Sequence, residues 1–293
     1  MAEILRIDRE LITGFEPQRP ETGHKNTFGT VLICAGSEYM TGAAVMAAGS
    51  ALRSGAGLVK VFSDEKTLDA IRFNEPCALL ETRPDETSGL LRKASALLKN
   101  ADSALLGPGM PGDYKDMEAL TALFIEKSEH LVLDAGAFTD KADVLARFKE
   151  RLRARSVPAV ITPHPGEFAR LTGLSKSEVA EKGAEAASSF SAENNAVVVL
   201  KGSSTVIAVP DGRIFINEAP NSGLAKGGSG DVLAGLTAGL LAQGMEPYRA
   251  ACSAVYIHSE AGKAALEDIG ARAMLPTDII NYLPEGYLNA GWR

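Results

Sequence analysis

The chain has 293 residues, of which 45% are hydrophobic and 23% charged, and its 30 basic and 37 acidic residues give a net charge of −7. No basic block is present, which argues against a nucleic acid or an anionic membrane as partner. No apolar run approaches the roughly 18 residues that span a bilayer.

Three cysteines stand at wide, uneven spacing without a CxxC motif. An odd number of cysteines in apolar surroundings indicates reduced thiols and therefore the cytoplasm. The N-terminal sequence MAEILRIDRELI is charged throughout. It has no uninterrupted apolar segment, so we do not expect a secretory signal there.

Short β-branched runs alternate with helical stretches along most of the chain. Most are apolar at successive positions, which is typical of parallel strands covered on both faces. Amphipathic segments such as 113–127 and 175–193 lie between them, and an apolar helix is expected at 41–58. The predicted strands are 30–36, 58–62, 78–82, 103–107, 130–136, 158–163 and 196–202.

The order of elements changes after the seventh predicted strand. Residues 205–217 form two short apolar runs joined by Asp211-Gly212, which predicts a hairpin. Three helices are expected after it, at 231–243, 247–267 and about 276–283. The pattern predicts a three-layer, doubly wound α/β fold with a mostly parallel sheet, as a single domain over residues 1–293.

Polar and glycine-rich segments follow directly on several predicted strands. They read CAGS, LGPG, LDAG, TPHPGE and LKGSS. Ligands of open α/β sheets bind at the carboxyl ends of the strands. One shared site is therefore more probable from the sequence than five unrelated loops.

The segment AKGGSGDVLAGL places three glycines before Asp231 and an apolar helix after it. Glycines let the backbone approach a ligand closely, and a helix N-terminus attracts a phosphate. Asp231, kept ionised by the helix field, is then predicted to be a base that deprotonates a hydroxyl attacking phosphorus. The alternative is an ordinary N-cap, which would not need three glycines.

Residues 201–205 (Lys201, Gly202, Ser203, Ser204 and Thr205) end one predicted strand and enter the hairpin. Their hydroxyl and N–H groups could bind phosphate or ribose, with Lys201 supplying positive charge. A plain polar turn is an equally open interpretation of this segment.

The segment TPHPGEFARL places His164 between two prolines, and a helix is predicted to start near Gly166 or Glu167. His164 belongs to no HExxH motif, so a zinc site is not expected. We expect His164 to contact substrate, with a structural histidine as the alternative. Glu167 could orient a water of a bound Mg²⁺, or it could stabilise the helix start.

The segment GPGMPG, from Gly107 to Gly112, matches GxGxxG and leaves a dinucleotide-binding dehydrogenase open as an alternative. Pro108 removes an N–H from this loop, and the first strand does not carry it, so a tight loop approaching a ligand is favoured. No Walker A sequence is present. A bound nucleotide must therefore lie on the other glycine-rich loop.

Taken together, six segments resemble the ADP/ATP-dependent NAD(P)H-hydrate dehydratases of the ribokinase-like superfamily. They cover nearly the whole chain in order: residues 24–61, LLGPGM, VLDAGA, TPHPGEFARL, VVLKGSSTVIA and GLAKGGSGDVLAGLTAGLLAQG. The resemblance implies repair of NADH or NADPH hydrated at the nicotinamide ring, in the S epimer. The substrate hydroxyl is phosphorylated by ADP or ATP with Mg²⁺, and loss of phosphate restores the double bond.

The resemblance also assigns residues. It implies that Asp231 is the base, that Ala43, Gly109, His164 and Asp231 bind the hydrated nucleotide, and that Glu167 lies near magnesium. The adenine nucleotide is assigned to Lys201, Gly202, Ser203, Ser204, Thr205, Gly228 and Gly230. Where the family commonly reads DADAL, this chain reads DAGAF, so Gly136 replaces a second Asp, and Asp134 is retained as a weaker candidate.

The resemblance further implies a homotetramer without the epimerase domain that is fused in some relatives. Two other functions stay open: a ribokinase-like kinase of a vitamin precursor such as hydroxymethylpyrimidine or hydroxyethylthiazole, and a nucleotide-binding sensor without catalysis. The sequence does not decide between ADP and ATP, although bacterial relatives favour ADP, nor between the two hydrated nucleotides.

Overall fold

A computed structural model describes residues 4–293 as one ten-stranded sheet with helices on both faces. The strand order is β1-β10-β9-β8-β7-β6-β5-β2-β3-β4. The strands are β1 (Ile4–Arg6), β2 (Thr30–Cys34), β3 (Leu58–Ser63), β4 (Leu79–Thr82), β5 (Ser103–Leu106), β6 (His130–Leu133), β7 (Ala159–Ile161), β8 (Ala196–Leu200), β9 (Ser204–Ala208) and β10 (Ile214–Glu218).

All neighbouring strands are parallel except that β9 runs antiparallel to both β8 and β10. The predicted hairpin is therefore confirmed. Its turn holds Gly212 at a φ of 93°, while Asp211 Oδ1 accepts a hydrogen bond from Arg213 N. The mostly parallel, doubly wound sheet of the prediction is also confirmed.

Twelve α-helices cover the sheet in the described part of the chain. They are α1 (Arg9–Thr13), α2 (Thr41–Leu52), α3 (Glu65–Asn74), α4 (Thr87–Leu98), α5 (Met117–Lys127), α6 (Ala142–Arg153), α7 (Pro165–Thr172), α8 (Lys176–Asn194), α9 (Ser229–Ala242), α10 (Pro247–Ile269), α11 (Pro276–Asn281) and α12 (Leu283–Ala290). Short 3₁₀ turns lie at Ala135–Ala137 and Ser222–Leu224.

Two hydrophobic cores lie on opposite faces of the sheet. On β2, Val31 and Ile33 belong to one core, and Leu32 and Cys34 belong to the other. Successive side chains of a strand point to opposite faces, so a strand buried on both faces needs apolar residues at consecutive positions. The uninterrupted apolar runs of the sequence are explained by this three-layer arrangement.

The apolar stretch predicted as a helix over 41–58 is helical only to Leu52, and β3 begins at Leu58. Helix α2 packs against α9 within the same chain, so its apolar face is already covered. A Cβ built on Gly235 would lie 2.1 Å from the carbonyl oxygen of Ala47, which shows how closely the two helices approach. The apolar composition of α2 therefore needs no partner chain to explain it.

Element ends differ from the predictions for local reasons. Strand β6 ends at Leu133 because the chain turns through Ala135, which has a positive φ of 45°. The single helix expected at 276–283 is two helices, α11 and α12. Pro284 lacks an N–H donor and is tolerated only in the first turn of a helix, so a new helix begins at Leu283.

One domain over residues 1–293 stays a prediction, and residues 1–3 lie outside the described part. Within residues 4–293, no helix is long and apolar enough to cross a membrane.

Candidate active site

Asp134 lies directly after β6 at the carboxyl edge of the sheet and is 2% exposed. Its Oδ1 accepts hydrogen bonds from Thr162 Oγ1 and from Lys201 Nζ, both at 2.8 Å. Thr162 follows β7 and Lys201 follows β8, so three neighbouring strand ends meet at one carboxylate. The expected convergence of strand ends is present here.

Lys201 is fixed at its backbone by a hydrogen bond from its N–H to the carbonyl of Pro163, at 3.0 Å. Burial acts to lower the pKa of Lys201, but the negative charges of Asp134, Glu167 and Asp231 outweigh it, and the pKa is raised. The ammonium therefore keeps its proton and serves as the positive centre among three carboxylates.

Helix α9 begins at Ser229, with Gly228 as its N-cap at a φ of 111°. Asp231 therefore lies in the first turn of the helix rather than at its start, and it does not act as the N-cap. A Cβ built on Gly230 would lie 3.1 Å from Lys201 Nζ, so the lysine ammonium lies close to the first turn of α9. Gly230 thus faces a cation at the helix N-terminus.

The pKa of Asp231 is raised to about 7. Burial is the largest cause, Asp134 adds to it, Lys201 opposes it, and Glu167 raises it further. The expectation that the helix field keeps this carboxylate fully ionised is therefore wrong. A carboxylate that titrates near neutral pH can both accept and release a proton, which suits a general base.

His164 and Glu167 form a capping box at the start of α7. His164 Nδ1 accepts from the N–H groups of Gly166 and Glu167, and Glu167 Oε2 accepts from His164 N at 2.8 Å. Glu167 is 6% exposed, so its negative charge is held inside the site. Both His164 and Glu167 therefore stabilise the start of α7.

A cavity of about 760 Å³ opens beside the start of α9. Five residues predicted to bind the nucleotide line it: Lys201, Gly202, Ser203, Thr205 and Gly230. Ser204 does not line the cavity, because successive side chains of a strand point to opposite faces and Thr205 is the residue on the cavity side of β9. Gly228 does not line it either, since Met46 and Pro276 pack against it.

Ala43 and Gly109, both predicted to bind the hydrated nucleotide, lie side by side. A Cβ built on Gly109 would stand 2.6 Å from Ala43 Cβ, and Gly109 has a φ of 63°. His164, predicted for the same ligand, instead lines the cavity of Lys201 and Gly230. The contact of His164 with the hydrated nucleotide therefore stays a prediction.

The GPGMPG loop is not a dinucleotide-binding turn in this structure. Helix α5 begins only at Met117, five residues beyond Gly112, so no helix N-terminus faces the glycines. Gly107 packs with a φ of 120° against the carbonyl of Asp134. The loop approaches the site closely, as the favoured interpretation predicted, and the dehydrogenase alternative loses its structural basis.

His258, on α10, is a site residue that the sequence did not reveal. It is 8% exposed, its ring Nε2 lies 3.1 Å from the carbonyl oxygen of Ser229, and burial lowers its pKa to about 4. The ring is therefore neutral at pH 7, and it holds the first turn of α9 from behind. A lone histidine within an apolar helix gives no signal of such a contact.

Asp134, Glu167 and Asp231 are the carboxylates available to a metal ion. No group of three or more metal-binding side chains is preformed within residues 4–293. Mg²⁺ is commonly held by one or two carboxylates together with substrate phosphates and water. The donor set fits an ion that arrives with a nucleotide rather than one bound by protein alone.

Comparison with known proteins gives consistent matches. The model of the family described as NAD(P)H-hydrate dehydratase matches residues 31–285. The ADP-dependent (S)-NAD(P)H-hydrate dehydratase of Bacillus subtilis is 35% identical over 272 residues, which are 92% of this chain and 92% of the relative. The bifunctional NAD(P)H-hydrate repair enzyme of Moorella thermoacetica is 36% identical over 273 residues.

That match includes 92% of this chain but 51% of the Moorella enzyme, so the chain spans about half the length of this bifunctional relative. The crystal structure of the Bacillus subtilis ADP/ATP-dependent NAD(P)H-hydrate dehydratase, co-crystallised with ATP and Mg²⁺, superposes with a TM-score of 0.86. Sequence identity is 32%, and 98% of each chain is covered. A ribokinase-like superfamily protein of Enterococcus faecalis, 27% identical, superposes with a TM-score of 0.81 over 98% of this chain and 96% of that one, so the ribokinase-like fold of the prediction is confirmed.

Proposed function

The chain belongs to the NAD(P)H-hydrate dehydratase family, and we propose that Asp231 is the general base with which it dehydrates hydrated NADH or NADPH. The reaction is that of a carbon–oxygen lyase acting on the S epimer and consuming ADP or ATP. The single observation that carries the proposal is the placement of Asp231. Its carboxylate stands in the first turn of α9, next to Gly230 and the ammonium of Lys201, with a pKa of about 7.

The first step is phosphorylation of the substrate hydroxyl. Asp231 takes the hydroxyl proton, the oxygen attacks the terminal phosphorus, and the bond between that phosphorus and the bridging oxygen breaks. ADP leaves AMP, or ATP leaves ADP. Phosphoryl transfer requires mainly an oriented nucleophile and neutralisation of charge on the phosphate. Asp231 supplies the first, and Lys201 with the N-terminus of α9 supplies the second.

The second step is elimination. The carbon–oxygen bond to the new phosphate ester breaks, inorganic phosphate departs, and loss of a proton from the neighbouring ring carbon restores the double bond of the reduced nicotinamide. The phosphate leaves from a position near Lys201, whose raised pKa keeps it positively charged. Lys201 therefore stabilises the leaving phosphate as well as the transferred group.

The nucleotide is assigned to the cavity beside α9. Lys201, Gly202, Ser203, Thr205 and Gly230 line it. When bound with the nucleotide, Mg²⁺ would neutralise phosphate charge that otherwise repels Asp231. Glu167 and Asp134 are the buried carboxylates through which water molecules of that ion would be held.

We also propose that the protein acts in the cytoplasm and assembles into a homotetramer. Cys34 and Cys252 are buried free thiols and Cys77 is an exposed one, which is consistent with a reducing compartment. Phe73 is 88% exposed beside the edge strand β4, where Leu79 is 44% exposed. Such apolar groups at a sheet edge favour contact with another copy. Light scattering on a size-exclusion column would give the mass.

The activity is tested by incubating the protein with hydrated NADH or NADPH and either ADP or ATP. Recovery of the absorbance of reduced nicotinamide together with released inorganic phosphate supports dehydration. A stable phosphate ester without recovered absorbance would indicate a kinase instead, and the absence of both products would refute the proposal. Comparing ADP with ATP at equal concentration also decides which nucleotide this chain prefers.

A further inference from the structure

Two loops of the substrate side are bonded to each other. Gly36, after β2, donates its N–H to the carbonyl of Pro108, after β5, at 2.7 Å. Ser37 Oγ donates to the carbonyl of Gly109 at 2.8 Å. Gly109 in turn packs against Ala43, so the position of this loop pair sets the shape of the surface assigned to the hydrated nucleotide.

Arg83 fixes the loop pair from the protein interior. It follows β4 and its side chain is 7% exposed. Arg83 Nη2 donates to the carbonyl of Gly36 at 3.2 Å and lies 3.3 Å from Asp64 Oδ2. Asp64 is itself held as the N-cap of α3 by the N–H of Thr67. Burial of a guanidinium is costly, and here the ion pair with Asp64 is joined by the Gly36 carbonyl and by the ring of Tyr114, whose centroid lies 5.5 Å from Arg83 Cζ.

The geometry of the two peptides shows how the contact with Arg83 fixes the direction of their N–H groups. In a planar trans peptide the N–H points away from the C=O, and no cis peptide bond is present in the described chain. Because the carbonyl of Gly36 points to Arg83, the N–H of Ser37 points away from it. The carbonyl of Pro108 accepts from Gly36, so the N–H of Gly109 likewise points away. Neither N–H makes a hydrogen bond within residues 4–293.

We infer that Arg83 is a positioning residue that holds the peptides at Gly36–Ser37 and Pro108–Gly109 so that their free N–H groups bind an anionic oxygen of the hydrated dinucleotide. This inference rests on the proposed function. The anionic oxygens of a dinucleotide are those of its phosphates, and paired backbone N–H groups are suitable donors to them. The guanidinium adds positive charge behind the same peptides.

If Arg83 had only a structural role, its removal would lower stability and would change the KM for both substrates alike. A positioning role predicts that the hydrated nucleotide is affected and the adenine nucleotide is not, because the cavity lined by Lys201 and Gly230 includes neither loop. The two roles are therefore separable by a KM measured for each substrate.

The test compares Arg83→Met, Arg83→Lys and the matched control Arg92→Met, since Arg92 is exposed on α4. Loss of the hydrogen bonds of a charged donor is expected to raise the KM for hydrated NADPH about tenfold in Arg83→Met. Arg83→Lys should lie between it and the wild type, with the KM for ADP within about twofold in all variants. Equal increases in both KM values, or unchanged values, would overturn the inference.

Hydrogen–deuterium exchange gives an independent readout. The amides of Gly36, Gly107 and Met110, which donate hydrogen bonds within and beside the loop pair, should exchange faster in Arg83→Met and Arg83→Lys, and unchanged exchange contradicts the inference. If Arg83→Met does not fold, Arg83→Lys and Ser37→Ala carry both measurements. If the wild type dehydrates nothing, the proposed function fails by itself, and the role of Arg83 is judged by exchange alone.

Discussion

Lys201 and Asp134, which are 67 positions apart, form a hydrogen-bonded ion pair across 2.8 Å, with side-chain exposures of 20% and 3%. The pair joins the ends of β8 and β6. The ammonium of Lys201 also lies close to Gly230 in the first turn of α9. Because Lys201 also affects the pKa of Asp231, the pair links the architecture of the sheet to the protonation of the proposed base.

The first prediction concerns Asp231→Asn. Asparagine has nearly the same size but cannot accept the hydroxyl proton, so turnover should fall about 10²–10⁴-fold. Affinity for ADP should stay close to that of the wild type, since Asp231 does not line the nucleotide cavity. Steady-state kinetics and calorimetric titration with ADP measure the two effects. Asp140→Asn, an exposed carboxylate, serves as the control and should retain full activity.

Each of the two measurements has its own outcome that would contradict the prediction for Asp231→Asn. Turnover within about tenfold of the wild type would exclude Asp231 as the general base. Loss of ADP binding in Asp231→Asn, with Asp140→Asn unaffected, would show that the carboxylate holds the nucleotide or its metal rather than the hydroxyl proton.

The second prediction is a pH profile. Asp231 must be ionised to act as base, and its pKa is raised to about 7. The value of kcat/KM should therefore decrease about tenfold per pH unit well below pH 7 and level off above it. Asp134→Asn removes a charge that raises the pKa of Asp231, so the acidic limb should move to lower pH. An unchanged limb in this variant would mean that another group controls the profile.

Much of this site was predictable from the sequence, because each strand end carries its polar residue directly after an apolar run. Lys201 and Asp134 could thus be assigned to one edge of the sheet, whereas Asp231 was predicted from its glycine-rich helix start. Their pairing could not, since no local pattern says that Lys201 meets Asp134 rather than a phosphate. The raised pKa of Asp231 also depends on burial and on charges brought from distant parts of the chain.

Other local contacts could not be predicted either. His164 uses Nδ1 to accept hydrogen bonds from the N–H groups at its own helix start, and its contact with substrate stays a prediction. Ser204 belongs to the hairpin ladder because strand β9 begins at Ser204, one residue before the predicted apolar run. His258 acts on Ser229 from a helix whose register only the packed structure defines.

The third prediction tests the energy of the ion pair. Lys201→Met leaves the buried carboxylate of Asp134 without its partner and should lower the free energy of unfolding by about 3–5 kcal/mol. Asp134→Asn added to it should restore part of that loss, because no unpaired charge is then buried. Urea unfolding of the single and double variants measures the coupling. Losses that simply add would show that the two residues do not interact.

An exposed ion pair provides the control for that experiment. Arg6 and Glu218 lie 3.6 Å apart with side-chain exposures of 74% and 59%. Because water screens such a pair, Arg6→Met should change the unfolding free energy little. A loss as large as that of Lys201→Met would mean that the urea assay does not report burial of the charge.

The fourth prediction concerns Gly136, where the family commonly has Asp. A Cβ at this position would lie 2.1 Å from the carbonyl oxygen of Met110, in the loop that carries Gly109. Gly136→Ala should therefore displace that loop, raise the KM for the hydrated nucleotide and lower stability. Gly112→Ala is the matched control, since its nearest contact would be at 3.9 Å. Similar kinetics in both variants would show that this close approach is unimportant.

The last prediction follows from the sign of the pKa shift of Asp231. Its pKa rises from an ordinary 3.8 to about 7 on folding, so the folded protein disfavours the ionised carboxylate. The resulting loss of stability is absent below about pH 4, develops between pH 4 and pH 7, and is complete above pH 7. Asp231→Asn cannot ionise and should escape this loss.

The variant should therefore unfold at a higher temperature than the wild type at pH 8, and at nearly the same temperature at pH 4. Thermal unfolding monitored by circular dichroism across this pH range, with Asp140→Asn in parallel, measures the difference. A difference that is constant with pH would assign the effect to packing instead of charge. A gain that grows with pH while turnover is lost would show that the chain maintains a destabilised carboxylate because its chemistry requires a base of neutral pKa.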